Sequence, residues 1–457
     1  MIDKIPEEIQ KIYKKLKEDG FEVYLVGGCV RNLMMEIPVK DWDLAANATP
    51  EKIQKLFSSS FYNNDFGTVG VPSDKLGDIE ITTFRTEHGY SDRRRPDKVK
   101  WGKTIEEDLS RRDFTINAIA LRFAQGKPTD SKQPPLEFID PYGGKNDIEK
   151  RLIRAVGDPR ERFKEDALRL MRAVRLAAQL GFEIEEKTGR EIQNDASLIQ
   201  DISGERIRDE LLRILESEDP AKGIMLLKDS GLLKYILPEL LEGLELSQER
   251  PGRHHTTDVF THNVMSLKHC PSKDPIVRLS ALLHDIGKPS AMGKDKDGYV
   301  TFYNHEISGA RLAYEICDRL RLSKKEAERI VNLIRWHMFS VNENLSDAGV
   351  RRFIRRIGAE NVADMMDLRI GDRLGGGTQT AESWRLKKFK ERVAGELAPK
   401  PFSINDMAVN GNDVMKELNL KPGPKVGKIL QALFEEVDED LSKNNKEYLL
   451  KRINELN

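Results

Sequence analysis

The sequence is poor in cysteine and in long apolar runs, and each shortage excludes a class of protein. The three cysteines among 457 residues, Cys29, Cys270 and Cys317, are odd in number and far apart, which excludes a disulfide framework and a Cys-x-x-Cys zinc site. No apolar run approaches the ~20 residues that span a bilayer, and the polar N-terminus lacks the features of a signal peptide. We therefore expect a cytoplasmic protein in a reducing compartment, with no membrane partner.

The sequence also lacks an excess of charge of either sign. Its 75 Lys and Arg residues balance 76 Asp and Glu residues, so nucleic-acid binding cannot be inferred from the total and must come from local basic faces. Charged residues make up 33% of the chain and hydrophobic residues 39%, a mix typical of a soluble, helix-rich protein. The length exceeds that of one ordinary core and predicts three or more domains.

Near the N-terminus, a glycine turn is followed closely by two carboxylates. Residues 24–31 predict a strand, a Gly-Gly turn and a helix start that carries Arg31. Glycines let a backbone approach phosphates, and the N–H groups of a helix start favour anions. Asp41 and Asp43 lie on a predicted second strand, where residues i and i+2 share a face. The pattern suits two Mg²⁺ ions for nucleotidyl transfer, or else a solvated loop or a helix cap.

Further elements follow from the spacing of the apolar residues. The spacing predicts a helix over 6–19, strands at 21–26, 69–71 and 78–85, and a helix that begins after Thr49. The last strand alternates acidic and apolar residues. Glu80 is therefore either a third carboxylate beside the first two or a solvent-facing strand residue.

Arginine-rich segments follow these strands. Residues 86–104 hold clustered arginine, glycine and proline with little to bury, which is typical of a mobile surface loop. In 106–120 the apolar residues are expected to lie buried on one side, which leaves a polar group: Arg111, Arg112, Asp113 and Asn117. Arginine gives bidentate contacts to phosphate, and an Asp or Asn can bind a ribose hydroxyl. A salt-bridged helix start is the alternative.

A single helix is predicted over 160–175, with Asp166, Arg169 and Arg172 close together on one face. As a plain surface pair, Asp166 and Arg169 would add only ~0.3 kcal/mol of stability. Beside a base, the carboxylate and the guanidinium would instead present acceptors and donors like a complementary base edge. A second charged helix start, over 203–212, is expected to brace the first helix.

These motifs, in this order, resemble those of the bacterial-type, class II CCA-adding tRNA nucleotidyltransferase and poly(A) polymerase family. The resemblance implies an α+β fold class, with a small mixed α/β head like that of polymerase beta followed by all-α regions. It also implies an enzyme that adds or repairs the 3′-terminal CCA of tRNA with CTP and ATP and releases pyrophosphate. The partners would be the tRNA 3′ end and acceptor arm, and no DNA is expected.

The resemblance also implies a role for each matching residue. Asp41 and Asp43 would be catalytic and hold Mg²⁺, with Glu80 as our candidate third ligand. The triphosphate, ribose and base would be bound by Gly27, Gly28, Arg31, Arg112, Asp113, Asn117, Asp166, Arg169 and Arg172. Two positions beside the turn depart from the family pattern: Asn32 stands where Asp is usual, and Glu36 where glycine is common.

A second candidate site lies between 250 and 375, where seven of the eight histidines occur. An apolar helix ends there in adjacent His and Asp residues, followed by Gly and Pro. Imidazole and carboxylate together suit a divalent transition metal or Mg²⁺, whose bound water becomes hydroxide near neutral pH. An isolated His-Asp pair at a helix end is more often a cap.

The full histidine pattern resembles that of the HD phosphohydrolase superfamily. The resemblance implies a site for a divalent metal of unspecified identity, formed by His262, His284, Asp285, His305, His337 and Asp372, with His305 and His337 inside helices. Its substrate would be a phosphomonoester or a 2′,3′-cyclic phosphate. Three further histidines fall outside the pattern: His254, His255 and His269.

Four domains are expected along the chain. They are a nucleotidyltransferase head (1–145), a helical neck and body with the nucleotide-selecting helix (146–250), an HD metal phosphohydrolase domain (251–375) and a helical tRNA-binding tail (376–457). In the tail, a Gly-Pro turn before a lysine-bearing helix start at 421–430 suits a phosphate backbone. The alternative is a plain turn between packed helices.

Two other functions stay open. One is a narrower transferase, either a poly(A) polymerase or an enzyme that adds only CC or only A. The arginine-rich loop with 92–96 intact favours addition of the final A, and no basic C-terminal extension of the poly(A) polymerase kind is present. The other is an HD metal phosphohydrolase on an RNA-binding scaffold, which would require a broken carboxylate pair, whereas Asp41 and Asp43 are both present.

Overall fold

The chain forms two compact units, Met1–Pro238 and Glu239–Asn457. The structure is a computed structural model that describes residues 1–62, 67–88, 98–124, 135–248, 257–342, 345–397 and 402–456. Part of the arginine-rich loop, including 92–96, lies outside the described residues, as do His254 and His255. The four-domain division stays a prediction.

The first unit is built on a seven-stranded mixed sheet with the strand order β3-β4-β5-β2-β1-β8-β9. The strands of this unit are β1 (Val23–Val26), β2 (Asp43–Ala46), β3 (Phe61–Tyr62), β4 (Thr68–Ser73), β5 (Gly77–Thr83), β6 (Arg85–His88), β7 (Lys98–Trp101), β8 (Ala120–Phe123), β9 (Leu136–Ile139), β10 (Leu152–Ile153) and β11 (Glu183–Ile184). Within the sheet, β2 and β5 run parallel and the other neighbours run antiparallel.

The central strand β1 is buried on both faces, because each face of the sheet is covered. Val23 and Leu25 join an apolar cluster with helix residues such as Ile9. Tyr24 and Val26 point to the opposite side and join a second cluster. This alternation follows the two-residue period of a strand and explains why β1 is apolar throughout.

The helices of the first unit confirm most of the sequence predictions. They are α1 (Glu7–Glu18), α2 (Gly28–Met34), α3 (Pro50–Leu56), α4 (Ile105–Ser110), α5 (Gly144–Glu149), α6 (Pro159–Glu165), α7 (Leu168–Leu180), α8 (Glu186–Asp195), α9 (Gly204–Leu215), α10 (Pro220–Asp229) and α11 (Leu233–Ile236). The predicted helix over 6–19 is α1, and the helix predicted after Thr49 is α3. The predicted strands correspond to β1, β4 and β5.

The prediction of one helix over 160–175 was wrong. Asp166 has an extended backbone, with φ −144° and ψ 105°, so α6 ends before it and α7 begins at Leu168. The Asp166 carboxylate accepts a hydrogen bond from the Leu168 backbone N–H (3.1 Å) and two from Arg206 (3.1 and 2.8 Å). These bonds stabilise a break that helical periodicity alone does not reveal.

The second unit is mainly helical. Its helices are α12 (Pro238–Leu241, which starts at the unit boundary), α13 (Val259–His269), α14 (Pro275–Leu283), α15 (His305–Arg319), α16 (Lys324–Trp336), α17 (Asp347–Ile357), α18 (Val362–Gly375), α19 (Trp384–Leu397), α20 (Gly411–Glu417), α21 (Pro424–Glu439) and α22 (Lys446–Glu455), with short strands β12 (Gly293–Lys294) and β13 (Val300–Thr301). The α+β fold class is confirmed. Among the described residues, no helix combines the length and the apolarity that a bilayer crossing requires.

Glu36 occupies a position that favours glycine. Its φ is +59°, in the left-handed region where a Cβ atom crowds the following carbonyl oxygen. This backbone conformation explains why glycine is common at this position in the family, where this chain has Glu36.

We therefore expect Glu36→Gly to raise the thermal midpoint of unfolding slightly, because glycine removes the Cβ crowding. Glu51→Gly is the matched control, since Glu51 is an exposed glutamate in the first turn of α3. Glycine inside a helix is unfavourable, so the control should lower the midpoint. A lower midpoint for Glu36→Gly would contradict the account of this position.

Candidate functional site

The glycine turn of the first unit brings backbone close to a charged group. Gly27 has φ +74°, and a Cβ atom there would lie 2.8 Å from a terminal nitrogen of Arg112 and 3.6 Å from Asp43 Oδ2. Only glycine fits this position, because the backbone is left-handed and the space is already occupied. The turn therefore places Arg112, Asp43 and the start of α2 around one point.

The predicted carboxylates meet beside this turn. Asp43 at the start of β2 is paired in register with Glu80 on β5. The prediction that Asp41 shares a strand with Asp43 was wrong, because β2 begins at Asp43; Asp41 precedes the strand and is exposed, while Trp42 between them is buried in the core. The pKa of Asp43 is raised to about 6, first by burial, which Arg112 opposes, and then by the neighbouring carboxylates Glu80 and Asp41. A buried carboxylate whose charge is destabilised by neighbouring carboxylates fits a divalent cation with oxygen ligands.

Arg112 is held by Asp108, a residue that the sequence reasoning missed. The Asp108 side chain is fully buried; it accepts hydrogen bonds from Arg111 Nε (3.0 Å) and from an Arg112 terminal nitrogen (3.1 Å). Burial alone would raise the pKa of Asp108, but the two arginines outweigh it and lower the pKa. The feature of the sequence that could have identified Asp108 is its spacing: it precedes Arg111 by three residues and Arg112 by four, at the end of a helix.

We expect Asp108→Asn to destabilise the protein by about 3 kcal/mol, because it leaves two partly buried guanidinium groups without their carboxylate. Nucleotide incorporation should fall as well, since Arg112 would lose its anchor. Urea unfolding and an incorporation assay measure the two effects. Asp209→Asn, which alters an exposed pair with Arg208, should change neither. Wild-type stability in the Asp108 variant would contradict this role.

A chain of hydrogen bonds connects the turn to α7. Asn117 Oδ1 accepts from Arg31 (2.5 Å), and Asn117 Nδ2 donates to Asp113 Oδ1 (3.1 Å). Asp113 Oδ2 accepts from Arg172 Nε (2.8 Å). Burial opposes the charge on Asp113, but Arg172 and Asn117 outweigh it, so the pKa of Asp113 lies well below its usual value. The structure thus brings these four predicted residues together in one network.

The departure at position 32 has a structural role. Asn32 Oδ1 accepts hydrogen bonds from Arg31 Nε (3.1 Å) and from a terminal nitrogen of Arg31 (2.9 Å). Its amide donates to the Pro38 carbonyl (3.3 Å). Asn32 therefore orients Arg31 through a neutral acceptor and adds no negative charge beside the turn.

The two residues expected to read the base are not paired with each other through side-chain hydrogen bonds. Asp166 is bound to Arg206 of α9. Arg169 donates to the Arg162 carbonyl (3.1 Å) and to the Arg111 carbonyl (3.0 Å), and it pairs with Glu165. The predicted bracing by α9 is confirmed by the Arg206 contact. Both side chains are thus held in place by contacts within the protein itself.

In the second unit, all six predicted metal-binding residues converge. They form two trios in which potential ligand atoms lie within 4.8 Å of one another: His262, His284 and Asp372, and Asp285, His305 and His337. The Nε2 atoms of His262 and His284 are 3.1 Å apart, and those of His305 and His337 are 3.3 Å apart. His305 is the first residue of α15, as the prediction of a helical position requires, whereas His337 follows the last residue of α16, so the prediction was wrong for His337.

The orientation of the imidazoles fits metal binding. His284, His305 and His337 each place Nδ1 2.7–2.8 Å from a backbone carbonyl three residues earlier. A proton on Nδ1 leaves the Nε2 lone pair directed into the cluster, and backbone carbonyls that accept from Nδ1 impose the same arrangement on histidines that bind metals. His269, at the end of α13, lies outside both trios.

The carboxylates join the two trios electrostatically. Asp285 lies 3.1 Å from His305 and 3.3 Å from both His262 and His284. Burial opposes protonation of His284, but Asp285 and Asp372 outweigh it and raise the pKa of His284 to about 10. This buried negative charge attracts cations, and a divalent metal ion fits the imidazole and carboxylate donors.

Two charged residues that the sequence reasoning missed contact this cluster. Lys288 Nζ lies 2.5 Å from Asp285 Oδ2, and an Arg369 terminal nitrogen lies 2.9 Å from Asp372 Oδ2. Each orients one carboxylate beside the histidines: Lys288 that of Asp285, and Arg369 that of Asp372. Lys288 follows its acid by three residues, and Arg369 precedes its acid by three. This is a helical spacing, and it is the feature of the sequence that could have identified both residues.

The lysine-bearing segment of the predicted tail lies on the surface. Helix α21 begins at Pro424, and Lys421, Lys425 and Lys428 are exposed. This placement is compatible with a phosphate backbone. Binding of tRNA there stays a prediction.

Comparison with known proteins identifies the class of the first unit. Residues 23–154 match a family model described as "Poly A polymerase head domain". Residues 302–453 match a model for tRNA nucleotidyltransferase domain 2. The sheet, the glycine turn and this match define the class as a nucleotidyltransferase with a head like that of polymerase beta.

Relatives narrow the class to a family. The chain is 34% identical over 425 residues to the A-adding tRNA nucleotidyltransferase of Deinococcus radiodurans, covering 90% of each chain. It is 31% identical over 467 residues to the CCA-adding enzyme of Ligilactobacillus salivarius, covering 100% of this chain and 98% of the relative. A crystal structure of the Bacillus stearothermophilus CCA-adding enzyme in complex with CTP matches with a TM-score of 0.69 and 26% identity, covering 98% of this chain and 96% of that one. The chain belongs to the class II CCA-adding enzymes of the tRNA nucleotidyltransferase and poly(A) polymerase family.

Proposed function

We propose that this protein adds the 3′-terminal CCA to tRNA from CTP and ATP, without a nucleic-acid template. The observation that carries the proposal is the register pairing of Asp43 with Glu80 beside the Gly27 turn. It supports a carboxylate group beside a glycine turn that is suited to phosphate. The relatives named above add the tRNA substrate to this chemistry.

The triphosphate is held by the glycine turn and two arginines. Arg31 is oriented by Asn32 and Asn117, so its guanidinium is set before the nucleotide arrives. Arg112 has a buried Nε without a hydrogen-bond partner among the described residues. An unpaired buried donor is costly, and a phosphate oxygen is a suitable acceptor.

The ribose and the base are positioned by the network that reaches α7. Asp113 already accepts from Phe114, Asn117 and Arg172, so it acts mainly by fixing Asn117 and Arg172. Asp166 and Arg169 select the base as acceptor and donor. Arg206 keeps the Asp166 carboxylate at a fixed orientation.

The carboxylates Asp41, Asp43 and Glu80 are the residues that would hold Mg²⁺. When bound there, Mg²⁺ supplies charge neutralisation for the attacking tRNA 3′-hydroxyl and the leaving pyrophosphate. The protein's own contribution is to position the nucleotide's α-phosphate beside the carboxylates and to fix the base.

The proposal is tested by offering CTP and ATP singly to three tRNAs, ending at the discriminator base, at C and at CC. We expect C to be added to the first two substrates and A to the third. The A-adding relative from Deinococcus radiodurans makes an A-only enzyme the second candidate. Addition of A to the CC end, with no C on the other two ends, would establish that candidate and exclude full CCA addition.

We also propose that the second unit is a metal-dependent phosphohydrolase. The two trios bridged by Asp285 support this activity, because paired metal sites suit hydrolysis of phosphate esters. The six residues His262, His284, Asp285, His305, His337 and Asp372 would hold the metal. When bound, the metal supplies a hydroxide at neutral pH and polarises the ester. Lys288 and Arg369 keep the carboxylates oriented.

We infer a cytoplasmic location. The three cysteines are buried and unpaired with one another, which suits a reducing compartment.

A further inference from the structure

One row of residues crosses four strands of the sheet in the first unit and ends at the carboxylates. Phe61 on β3 is paired in register with Gly70 on β4. Gly70 is paired with Glu80 on β5, and Glu80 with Asp43 on β2. Residues directly opposite one another on neighbouring strands share a face of the sheet. Phe61 therefore stands on the face that carries Glu80 and Asp43.

The Phe61 ring reaches over β4 and stays open to solvent. A Cβ atom at Gly70 would lie 2.6, 2.9 and 3.1 Å from three carbons of the ring, so glycine lets the ring approach the strand closely. Phe61 is nevertheless 41% exposed. Because neighbouring strands lie about 4.8 Å apart, Gly70 is roughly 10 Å from Asp43 across the sheet. An exposed phenyl ring thus stands beside the carboxylates on their own face.

Asp43 lies between this ring and the glycine turn. The Gly27 turn follows β1, which borders β2 on one side, whereas β5, β4 and β3 continue on the other side. In phosphoryl transfer the attacking and leaving oxygens are roughly in line, on opposite sides of phosphorus. Since the turn is the proposed triphosphate site, the attacking 3′-hydroxyl arrives from the side of Glu80 and Phe61.

The tRNA end changes its last base at each step of CCA addition, from the discriminator base to the first and then the second C. A site that reads one base edge through hydrogen bonds would reject the other ends, whereas every base presents a π face to an aromatic ring. We propose that Phe61 stacks on the terminal base of the tRNA and so holds its 3′-hydroxyl beside Glu80 and Asp43. The inference rests on the proposed CCA addition and adds the residue that positions the tRNA end.

A tRNA whose last base is 2-aminopurine tests the stacking without requiring incorporation, because an aromatic ring stacked on this base quenches its fluorescence. We expect quenching on binding to the whole wild-type chain, its loss in Phe61→Leu and its return in Phe61→Tyr. Leucine keeps an apolar cover over Gly70, so the loss reports stacking. In the extension assay, Phe61→Leu should raise the KM for tRNA about tenfold with each of the three ends. The KM for CTP should not change.

Tyr62→Leu is the matched control, because Tyr62 is on the same strand and is also 41% exposed. It is paired with Val69, whose side chain belongs to the core on the other face of the sheet. Strand alternation therefore directs Tyr62 away from the carboxylates. Quenching and both KM values should match those of the wild-type protein, and thermal unfolding shows whether each variant is folded.

The outcomes separate the stacking from the activity. Equal quenching by Phe61→Leu and the wild-type protein, an equal loss in Tyr62→Leu, or a raised KM for CTP alone would overturn the inference. An effect confined to one of the three tRNA ends would also overturn it, because stacking tolerates every base. Loss of quenching in Phe61→Leu, with no nucleotide incorporated by the wild-type protein, would retain the stacking contact and reject CCA addition.

Discussion

Asp43→Asn is expected to lower incorporation of CTP into tRNA about 10³-fold in kcat/KM, because it removes a carboxylate from the proposed Mg²⁺ site. Asparagine has nearly the same shape as aspartate, so the loss of activity measures the effect of the missing charge and not of altered packing. A single-nucleotide extension assay with a tRNA lacking CCA measures it.

The stability of this variant should not fall. The pKa of Asp43 is raised to about 6 in the folded protein, first by burial. A carboxyl group with a raised pKa costs stability at any pH above its unfolded pKa, and the full cost is present above about pH 6. Removal of the charge should therefore increase the thermal midpoint at neutral pH without Mg²⁺, while activity is lost.

Asp78→Asn is the matched control, because Asp78 is exposed on the same strand as Glu80. It should leave incorporation unchanged. Wild-type activity in Asp43→Asn, or an equal loss in Asp78→Asn, would remove Asp43 from the catalytic site.

Asp285→Asn should lower metal-dependent phosphate release at least about 100-fold and reduce the metal content of the purified protein. Asp285 contacts members of both trios, so its loss should affect both groups of candidate ligands. Metal analysis and phosphate release from a nucleoside monophosphate measure the two effects. Addition of CTP to tRNA should continue, since the carboxylates proposed for that reaction lie in the first unit.

Loss of Asp285 also leaves Lys288 without its carboxylate, so a second variant separates chemistry from folding. His337→Gln retains a polar side chain and should also lose metal and phosphate release. His269→Ala alters a histidine of α13 outside the trios and should change neither. Full phosphate release in both cluster variants would reject this metal site.

The convergence of the candidate metal ligands could be predicted from the sequence, except that Asp41 lies before strand β2 and not on it. Asp43 and Glu80 were each assigned to a strand, and strand alternation gave the face on which each would lie. The proximity of the six histidine and aspartate residues followed from the residue types and their order, even though they are spread from 262 to 372. Such patterns can be recognised in a sequence because only a few residue types can act as metal ligands.

The supporting residues were less accessible, because they depend on tertiary contacts. The break at Asp166 is stabilised by Arg206, which lies 40 residues away, while the apolar spacing continues through it. Asp108 looked like one of several acids at a helix start, and only its burial beneath two arginines distinguishes it. Local patterns indicate periodicity, but they do not reveal which charged residue is buried.

The position of Glu36 shows a third kind of limit. A departure from a family pattern can be seen in the sequence, but its meaning depends on the backbone. Here the left-handed φ explains why glycine suits the position. At Asn32 the side chain instead supplies a hydrogen-bond acceptor to Arg31.

The central claim is that this one chain builds the whole CCA end. Sequencing the 3′ ends of a tRNA that lacks CCA, after incubation with equimolar CTP and ATP, tests it most directly. The account predicts that the products end in CCA and that addition stops there. Ends that carry only A, only CC or a run of A would contradict it.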